Sequence, residues 1–441
     1  MVDFPLPEGA DTISIFPFII FCGFLFTAAK IRIYFCFMAA KLQKTPFLVR
    51  SFPFILYLCS RNENAMVEIR KVSTKRELKQ FIQFYYDLYR GSEQAVPYLY
   101  FDEMATLRHD KNPSFECCEA DYFLALRNGQ VVGRVAAIIN RRANEQWKCQ
   151  QVRFGWLDFI DDLEVSTALL QAVEQWGRER GMTEMAGPLG FIDTDREGML
   201  VEGFDQLSTM YVNYNYPYYP EHIQRIGGFV KDNDYVEFKV KVPENDDYKF
   251  HKIAQMVKKR YGLRVHKFTR SELIDKGYGR EVFRLLNATY KDLYGFSQLS
   301  QQQIDKLVND YIKIADLNLV TAIMDGSKMV GFGITFPSFS RALQKTRDGR
   351  LFPFGWWHVL KILKWHKTDI VDLLLIGVLP EYRSKGANAL IFDDLIHQFQ
   401  RYGFKWADAM PQMERNLAVQ SQWQYLDSEI HRRHRCFRKT L

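Results

Sequence analysis

The sequence predicts an α/β protein whose mixed sheet is built from two similar halves. In each half, two apolar strand patterns flank a tight-turn dipeptide, Asn128-Gly129 in the first and Asp325-Gly326 in the second. Such dipeptides are typical of β-hairpin turns. Each hairpin is followed by an apolar strand, then by a helical pattern that ends at Gly181 or Gly403, and then by another strand. The repeated order of elements predicts the fold class.

Length and composition limit the classes of function. The chain has 441 residues, of which 47% are hydrophobic and 25% charged, as expected for a globular protein of two or three domains. The net charge of +7 suits an anionic ligand or an anionic membrane surface, and it does not require nucleic acid as a partner. The seven cysteines form neither a CxxC pair nor a zinc-spaced cluster with histidine. We therefore expect a reduced, cytoplasmic protein without a metal.

The domain organisation follows from the repeat. We expect a hydrophobic N-terminal segment at 1–65, a first half at 66–243 and a second half at 244–441. Segment 1–65 holds 11 of the 35 phenylalanines, and its charge-free stretch 12–29 precedes Lys30. Two interpretations stay open: a membrane anchor, or a translation start assigned too far upstream of Met66.

The most informative motif joins a strand to a helix in the second half. The apolar strand Ile370–Val378 leads into Arg383-Ser384-Lys385-Gly386-Ala387-Asn388, and a helical pattern covers Ala387–Tyr402. The start of a helix presents free backbone N–H groups and a positive dipole end, to which Arg383 and Lys385 add charge. This combination suits a diphosphate.

These residues resemble motif A of the GNAT-type acyltransferase superfamily, in which Val-x-Pro-x-Tyr-Arg precedes Arg/Gln-x-x-Gly-x-Gly/Ala. The resemblance implies two tandem GNAT-like domains, the first degenerate, and acetyl-CoA or a longer acyl-CoA as co-substrate. Asn388 stands where the family has Gly or Ala. The residues implied in coenzyme binding are Ile376, Gly377, Val378, Arg383, Ser384, Lys385, Gly386, Ala387, Asn388 and Asn416.

The first half lacks the chemistry of that motif. Asp161, Asp162 and Glu164 stand at the corresponding helix start. Each contact between like charges at about 5 Å costs roughly 3 kcal/mol at an effective dielectric near 20, so a diphosphate would be repelled. We therefore expect coenzyme binding in the second half only.

The strand and the segment after the last predicted strand supply further expectations. Gly377 is expected to form a bulge that frees a backbone donor for the thioester. Asn416, which opens a predicted helix over 417–426, either contacts the pantetheine arm, as in the family, or is a plain helix N-cap. The tyrosine that protonates the leaving thiolate in the family is replaced by Trp423, and Tyr425 is the nearest alternative.

The general base is less well defined by the sequence. Asp408, on a predicted strand, is the first candidate, and Glu414 and Asp372 are the others. No nucleophile–histidine pattern stands out, so we expect direct transfer without a covalent intermediate.

An insert at 341–367 separates the second hairpin from the motif strand. It holds seven basic residues against one acidic residue, Asp348, together with Trp356, Trp357 and Trp365. Tryptophans among spaced lysines are typical of a helix at a membrane interface, and a packed lid helix is the alternative. Lys361, Lys364 and Lys367 are expected to lie along one side of this helix.

The expected function is an acyl-CoA-dependent N-acyltransferase that transfers an acetyl or longer acyl group to a small-molecule or lipid amine. One alternative is a long-chain enzyme that makes a lipid amide at an anionic membrane surface, as GNAT-like proteins of bacterial sphingolipid pathways resemble. Another is a non-catalytic acyl-CoA-binding module. The intact motif disfavours an aminoacyl transferase of the Fem type, a class that does not bind coenzyme A.

Overall fold

A computed structural model describes residues 66–441, and Val67–Leu441 form one compact unit. Segment 1–65 and both interpretations of it lie outside the described residues. The strands and helices of the first half are β1 (Glu68–Lys71), α1 (Lys75–Leu88), α2 (Tyr100–Thr106), β2 (Cys118–Arg127), β3 (Gln130–Asn140), α3 (Arg141–Trp147), β4 (Gln151–Phe159), α4 (Leu163–Arg178), β5 (Glu184–Gly187), β6 (Met199–Glu202), α5 (Tyr218–Ile226) and β7 (Val230–Lys241).

The second half repeats this plan with additional helices. Its elements are α6 (Lys249–Tyr261), β8 (Arg264–His266), α7 (Arg270–Ile274), α8 (Tyr278–Tyr290), α9 (Gln301–Ile314), β9 (Val320–Asp325), β10 (Lys328–Pro337), α10 (Ser340–Leu343), α11 (Gly355–Trp365), β11 (Ile370–Val378), α12 (Pro380–Arg383), α13 (Ala387–Tyr402), β12 (Trp406–Met413), α14 (Leu417–Gln420) and β13 (Ser428–Thr440).

All thirteen strands form one mixed sheet in the order β1-β2-β3-β4-β5-β13-β7-β12-β11-β10-β9-β8, and β6 pairs with β13 beside this path. The last strand of each half lies in the other half, since β13 pairs with β5 and β7 pairs with β12. These two strands also pair with each other, from Ser428 opposite Val240 to Arg438 opposite Val230. Each half therefore completes the sheet of the other.

The predicted repeat is confirmed by the order of elements in both halves. Asn128 and Gly129 turn the first hairpin with φ of 53° and 76°, and Gly326 turns the second with φ of 59°. Gly181 and Gly403 follow the ends of α4 and α13 with φ of 74° and 76°. Glycine adopts this left-handed region without steric cost, which explains why it ends both helices.

The parallel strands β11 and β12 separate at one end. In the second half, the register of β11 with β12 runs from Ile370 opposite Trp406 to Leu373 opposite Ala409 and then stops. Leu374 is bulged out of the pairing with β10, and the pairing of β12 with β7 shifts at the segment that contains Pro411. Proline cannot donate to a ladder and a bulge bends its strand, so the two strands diverge beyond Leu373.

The two faces of the sheet are covered differently. One face carries a hydrophobic core to which both halves contribute, with α1 from the first half and α8, α9 and α11 from the second. The other face carries separate cores, one under α4 and α5 and one under α6 and α13. The halves are thus joined by a common core as well as by the exchanged strands.

The C-terminal region differs from the prediction. The helix expected over 417–426 is wrong, because α14 ends at Gln420 and only a short 3₁₀ turn, Trp423–Tyr425, follows. Strand β13 was not predicted. Its inward side chains include Arg432 and His434, which are fully buried. A strand that buries charged residues lacks the apolar alternation by which strands are recognised in a sequence.

The insert forms α10 and α11. Helix α11 ends at Trp365, and His366 caps it in the left-handed conformation. Lys367 therefore lies beyond the helix, and the expectation that three lysines share one helical side is wrong. No helix among residues 66–441 combines the length and the apolar character needed to cross a membrane.

Candidate active site

The motif turn has the geometry of an anion site. Strand β11 ends at Val378, the single turn α12 follows, and Gly386 starts α13 from a left-handed conformation with φ of 78°. A Cβ at Gly386 would contact Val257 Cγ2 at 3.2 Å, in addition to the backbone strain of that conformation. The first N–H groups of α13, at Ala387 and Asn388, have no partner within the helix and point out of its start.

Two cations flank this helix start. The exposed Arg383 side chain is anchored by its Nε, which donates to the Val378 carbonyl at 3.0 Å. The Lys385 ammonium lies 4.2 Å from the centre of the Tyr382 ring, and the Tyr382 hydroxyl donates to Asp325 at 2.8 Å. Ser384, between the two cations, is exposed. Both positive charges therefore lie at the positive end of the helix dipole.

Asn388 has a local partner. Its Nδ2 donates to the side chain of Gln422 at 2.9 Å, which ties the start of α13 to the segment before the 3₁₀ turn. The residue that departs from the family pattern thus occupies the second position of the helix without disturbing it. Its backbone N–H stays at the helix start.

The open edge of β11 leads into the turn. From Leu375 to Val378, β11 pairs with β10 on one side, while the other side faces the gap to β12. Ile376 contributes its carbonyl to a hydrogen bond from the Tyr290 hydroxyl at 3.1 Å. Unpaired strand groups at such an edge are available to an extended ligand with amide groups.

Gly377 has a role other than the predicted one. The bulge that we expected there lies at Leu374, and Gly377 is in regular register with Phe332. A Cβ at Gly377 would come within 2.6 Å of Phe332 Cε1 and 2.9 Å of Thr289 Oγ1. Glycine is therefore needed at this position because α8 and the core ring approach the strand closely.

The predicted catalytic and pantetheine residues lie in different surroundings. Tyr425 packs edge-on against Phe250, with the Lys249 ammonium 3.7 Å from its ring centre, in the core under α6 and α13. Asn416 is the N-cap of α14, where its side chain accepts from the Val419 N–H at 3.4 Å. The N-cap interpretation of Asn416 therefore has a geometric basis, and a contact with pantetheine stays a prediction.

Asp408 belongs to a buried ionic network. Its carboxylate accepts two bonds from Arg432 Nη2, at 2.9 and 3.1 Å, and lies 3.0 Å from His431 Nε2. The same guanidinium binds Glu237 at 2.7 Å, and His434 Nδ1 lies 2.8 Å from the other Glu237 oxygen. Burial disfavours the Glu237 carboxylate, but Arg432 and His434 hold its pKa down to about 2. This network fixes Asp408 in a structural ion pair, and its role as base stays a prediction.

The other two base candidates contrast with each other. Asp372 is 1% exposed, and neither of its carboxylate oxygens has a hydrogen-bond partner among the described residues. Burial and the nearby Asp408 charge raise its pKa well above the usual carboxyl range. Glu414 is bound by Lys231 at 2.6 Å and by Arg433 at 2.7 Å near the surface. Asp372 is therefore kept neutral, and Glu414 is kept ionised.

The sequence analysis did not identify an acidic loop of the first half that lies beside the second-half site. This loop, Gly190–Gly198, carries carboxylates at every second position, Asp193, Asp195 and Glu197. The charge of Asp193 reaches Tyr290, and together with burial it raises the pKa of that phenol to about 12. The Asp-x-Asp-x-Glu spacing was the one available signal in the sequence.

The corresponding turn of the first half is occupied by its own side chains. Arg127 binds both Asp162 and Glu164, and Asp161 lies 3.1 Å from His222 Nε2. The gap between β4 and β5 is also filled, because the Leu189 N–H donates to the Phe154 carbonyl at 2.9 Å.

A small cavity remains beside this filled gap. It has a volume of about 30 Å³ and is bordered by Arg134, Trp156 and Arg196. This volume is enough for one water molecule. The cavity lies beside the contact between Leu189 and Phe154 that closes β4 and β5.

Two groups of side chains have metal-ligating composition: His251, Asp393 and His397, and Glu237, Asp408 and His431. In the second group Arg432 already binds both carboxylates. In the first, Lys258 Nζ lies 3.6 Å from Asp393. A cation of the protein therefore already neutralises the carboxylates of each group.

Comparison with known proteins gives two sequence relatives. Protein YghO of Escherichia coli K12 is 26% identical over 384 residues, which cover 85% of this chain and 95% of that protein. The bacterial ceramide synthase of Caulobacter vibrioides is 28% identical over 325 residues, which cover 73% of this chain and 83% of that protein. No protein-family model matches the chain.

Among solved structures, a tandem GNAT protein from the clavulanic acid biosynthesis pathway aligns with a TM-score of 0.49 and 11% identity. The alignment covers 85% of this chain and 98% of that one. Independently of that alignment, the structure of this chain has the repeated order of elements, the bulged strand β11 and the basic turn before α13. With these features in both sequence and topology, the described residues have a tandem GNAT-type fold.

Proposed function

We propose that the protein is an acyl-CoA-dependent N-acyltransferase that binds the acyl donor in its second half. The observation that carries the proposal is the continuous path from the open edge of β11 to the basic start of α13. The equivalent path in the first half is filled by its own backbone and blocked by three carboxylates. These differences between the halves support binding of the acyl-CoA in the second half.

Each part of the donor has matching groups along this path. The N–H groups at the start of α13, with Arg383 and Lys385, suit the diphosphate. The unpaired side of β11 suits the amide groups of the pantetheine arm, which would add to the sheet as an extended strand does. Gly377 and the bulge at Leu374 lie where the path passes Tyr290.

The reaction requires a neutral amine and a protonated leaving thiolate. A neutral amine attacks the thioester carbonyl, the C–S bond breaks, and the proton lost by nitrogen ends on the sulfur of coenzyme A. Tyr425 packs against Phe250 in the core under α6, so the structure offers no support for it as the proton donor. In this proposal the protein contributes chiefly by placing donor and acceptor and by accepting the ammonium proton.

Two measurements test this function. Native mass spectrometry of the purified full chain should show a bound coenzyme A species and the mass of its acyl group. A thiol-release assay with acetyl-CoA and palmitoyl-CoA should then show release that depends on an added amine. Binding of the thioesters without amine-dependent release would identify a non-catalytic binding module instead.

A second candidate function is favoured by the surface of the insert. The insert exposes five aromatic residues, which are Phe352 (80% exposed), Phe354 (78%), Trp356 (43%), Trp357 (42%) and Trp365 (45%). Lys361 and Lys364 lie among them, each with its ammonium 5.3 Å from a tryptophan ring centre. A packed lid helix would hide these rings. Exposed tryptophans beside lysines suit an anionic bilayer.

This surface supports a lipid acceptor or a long acyl chain. The insert packs against the first half, where the Tyr100 N–H donates to the Gly349 carbonyl at 3.2 Å. The next residue, Phe101, is an exposed aromatic residue as well, at 59%. One of the two relatives is named a bacterial ceramide synthase, which agrees with a product that is a lipid amide.

Vesicle co-sedimentation separates the lipid acceptor from the soluble one. The full chain should bind vesicles that contain phosphatidylglycerol more strongly than pure phosphatidylcholine, and salt should weaken this binding. The double substitution Lys361→Glu/Lys364→Glu should weaken it further, whereas Lys328→Glu, on another surface, should not. Equal binding of all three proteins would favour a soluble amine acceptor.

A further inference from the structure

The side chain of Asp193 has no partner in an otherwise well-anchored loop. Asp195 accepts bonds from the N–H groups of Phe191 and Ile192, at 2.7 and 3.1 Å, and the Gly198 N–H donates to the Pro188 carbonyl at 2.8 Å. Asp193 is half-buried, and within residues 66–441 its carboxylate makes neither a hydrogen bond nor an ion pair. An ordered loop thus presents a free carboxylate.

The loop that carries this carboxylate is connected to β11 through the C-terminal end of α8. Arg153 fixes the arrangement, since its guanidinium donates to the Gly190 carbonyl at 3.2 Å and to the Gly295 carbonyl at 3.0 Å. It therefore ties the acidic loop of the first half to the segment that follows α8. The last residue of α8, Tyr290, reaches the Ile376 carbonyl on β11. The loop of Asp193 is thus connected to the donor path through groups of both halves, and the Asp193 charge acts on Tyr290.

A second acidic group, Glu197, lies in the same loop. Glu197 accepts from the Tyr235 hydroxyl at 2.6 Å through one oxygen, while its other oxygen, Oε1, is shielded from solvent and has no partner among the described residues. Burial and the nearby Asp193 charge raise the pKa of Glu197 well above the usual range. Glu197 thus leaves one buried acceptor without a partner in the same loop as Asp193.

The electrostatics of Asp193 suit proton transfer at neutral pH. Burial raises its pKa to about 7; Arg153 opposes this rise and Asp195 adds to it. The other titratable groups on which its charge acts are Glu197, Tyr235 and Tyr290. A carboxylate that ionises near the working pH both accepts a proton from an ammonium and releases it afterwards.

We propose that Asp193 is the general base of the reaction and that the acidic loop of the first half binds the acceptor as a cationic primary amine. This inference rests on the proposed acyltransferase function and assigns its acceptor class. The ammonium transfers one proton to the Asp193 carboxylate, which becomes a neutral acid. The resulting amine forms the C–N bond at the thioester carbonyl of the acyl-CoA, and coenzyme A leaves with the second nitrogen proton on its sulfur.

The other carboxylates near the cleft are less able to take this role. Asp408 and Glu237 are both bound to the Arg432 guanidinium. Asp195 holds the backbone of its own loop. Both oxygens of Asp372 are shielded from solvent, so an acceptor amine has no access to them. Among the described residues, Asp193 combines unpaired oxygens with partial exposure to solvent.

The test uses the full chain, with acetyl-CoA and palmitoyl-CoA as donors and ethanolamine and dodecylamine as acceptors. Asp193→Asn should lower amine-dependent thiol release by about 100- to 10,000-fold, as expected for loss of a general base. Its affinity for coenzyme A should stay within about twofold of the original. The control Asp205→Asn removes an exposed carboxylate of the same half and should leave both quantities unchanged.

The pH profile separates catalysis from a structural role. For the original protein, kcat/KM for the amine should rise with pH and level off above about 7, where Asp193 is ionised. For Asp193→Asn the residual kcat/KM should keep rising, about tenfold per pH unit, up to the pKa of the free amine. Asp193→Glu, which retains a carboxylate, should show an intermediate rate and a plateau.

The outcomes distinguish the two levels of the proposal. If the original protein releases no thiol with any donor and acceptor, the acyltransferase function and this inference both fall. If it transfers acyl groups while Asp193→Asn keeps the original rate and pH plateau, only the role of Asp193 is overturned. A parallel loss of coenzyme A affinity in Asp193→Asn, or an equal loss of rate in Asp205→Asn, would also overturn that role.

Discussion

The charge of Arg383 offers the sharpest test of the donor site. Arg383→Gln removes the charge, and Arg383→Glu reverses it. Both variants lose the hydrogen bond from Nε to the Val378 carbonyl, which measures 3.0 Å in the original protein. The cost of that bond, about 1 kcal/mol, is therefore common to both variants and cancels when they are compared. The difference in coenzyme A affinity between Gln and Glu then reports the electrostatic effect alone.

The expected magnitude follows from the position of the side chain. Two unit charges about 5 Å apart interact by roughly 3 kcal/mol at an effective dielectric near 20. Arg383 is exposed, and solvent and salt screen its charge, so we expect about 1 kcal/mol for each unit of charge that is changed. Arg383→Gln should thus weaken coenzyme A binding about 5-fold, and Arg383→Glu should weaken it about 30-fold or more.

Isothermal titration with coenzyme A at low and high salt measures both differences. The gap between the Gln and Glu variants should shrink at high salt, because an exposed interaction is screened. Asp161→Ala is the matched control in the first half, where the carboxylate contacts only His222, and its coenzyme A affinity should be unchanged. If Arg383→Glu binds as tightly as the original protein, or if Asp161→Ala loses affinity, the donor site has been placed in the wrong half.

Three further predictions concern stability and packing. Gly377→Ala should destabilise the protein by about 1 to 3 kcal/mol in urea denaturation and weaken coenzyme A binding, because the added Cβ would lie 2.6 Å from Phe332 Cε1. Adding Phe332→Leu should recover part of both losses. Arg432→Met should cost about 3 to 5 kcal/mol in the same experiment, since it leaves two buried carboxylates unpaired, whereas Arg438→Met, on an exposed part of the same strand, should cost little. The pKa of Asp193 is raised to about 7 in the folded protein. Its ionisation therefore destabilises the folded state progressively from about pH 4 and fully above about pH 7. Asp193→Asn should for this reason raise the melting temperature at pH 8 and not at pH 4. A melting temperature at pH 8 equal to that of the original protein would contradict the raised pKa.

Local signals were sufficient to predict the repeat and the donor motif. The hairpin turns, the glycines that end helices and the apolar strand before a basic turn are all properties of short segments. For this reason Ile370–Val378 and Ala387–Tyr402 coincide with β11 and α13. The motif residues Arg383, Lys385 and Gly386 lie at one helix start for the same reason, since they are close together in the chain.

Features that depend on long-range pairing were not accessible in this way. The bulge lies at Leu374 and not at Gly377, because it is set by the partner strand β10 and by the close approach of α8. Tyr425 was chosen as the tyrosine nearest to the family's position at Trp423, and Asp408 for its place on a predicted strand. Packing places the first in the core under α6 and the second in an ion pair with Arg432.

The sequence by itself determined the class of the fold, the half that carries the basic turn and the resemblance to an acyltransferase motif, because each rests on residues that are neighbours in the chain. Only the tertiary structure decided how the halves combine. Strands β7 and β13 change places, and β13 buries Arg432 and His434 where a sequence pattern expects apolar residues. The loop of Asp193 is joined through Arg153 to the segment after α8, which lies about 100 residues later in the chain. Such contacts follow from the pairing of distant strands and the burial of a shared core, and neither has a signature in a short stretch of sequence.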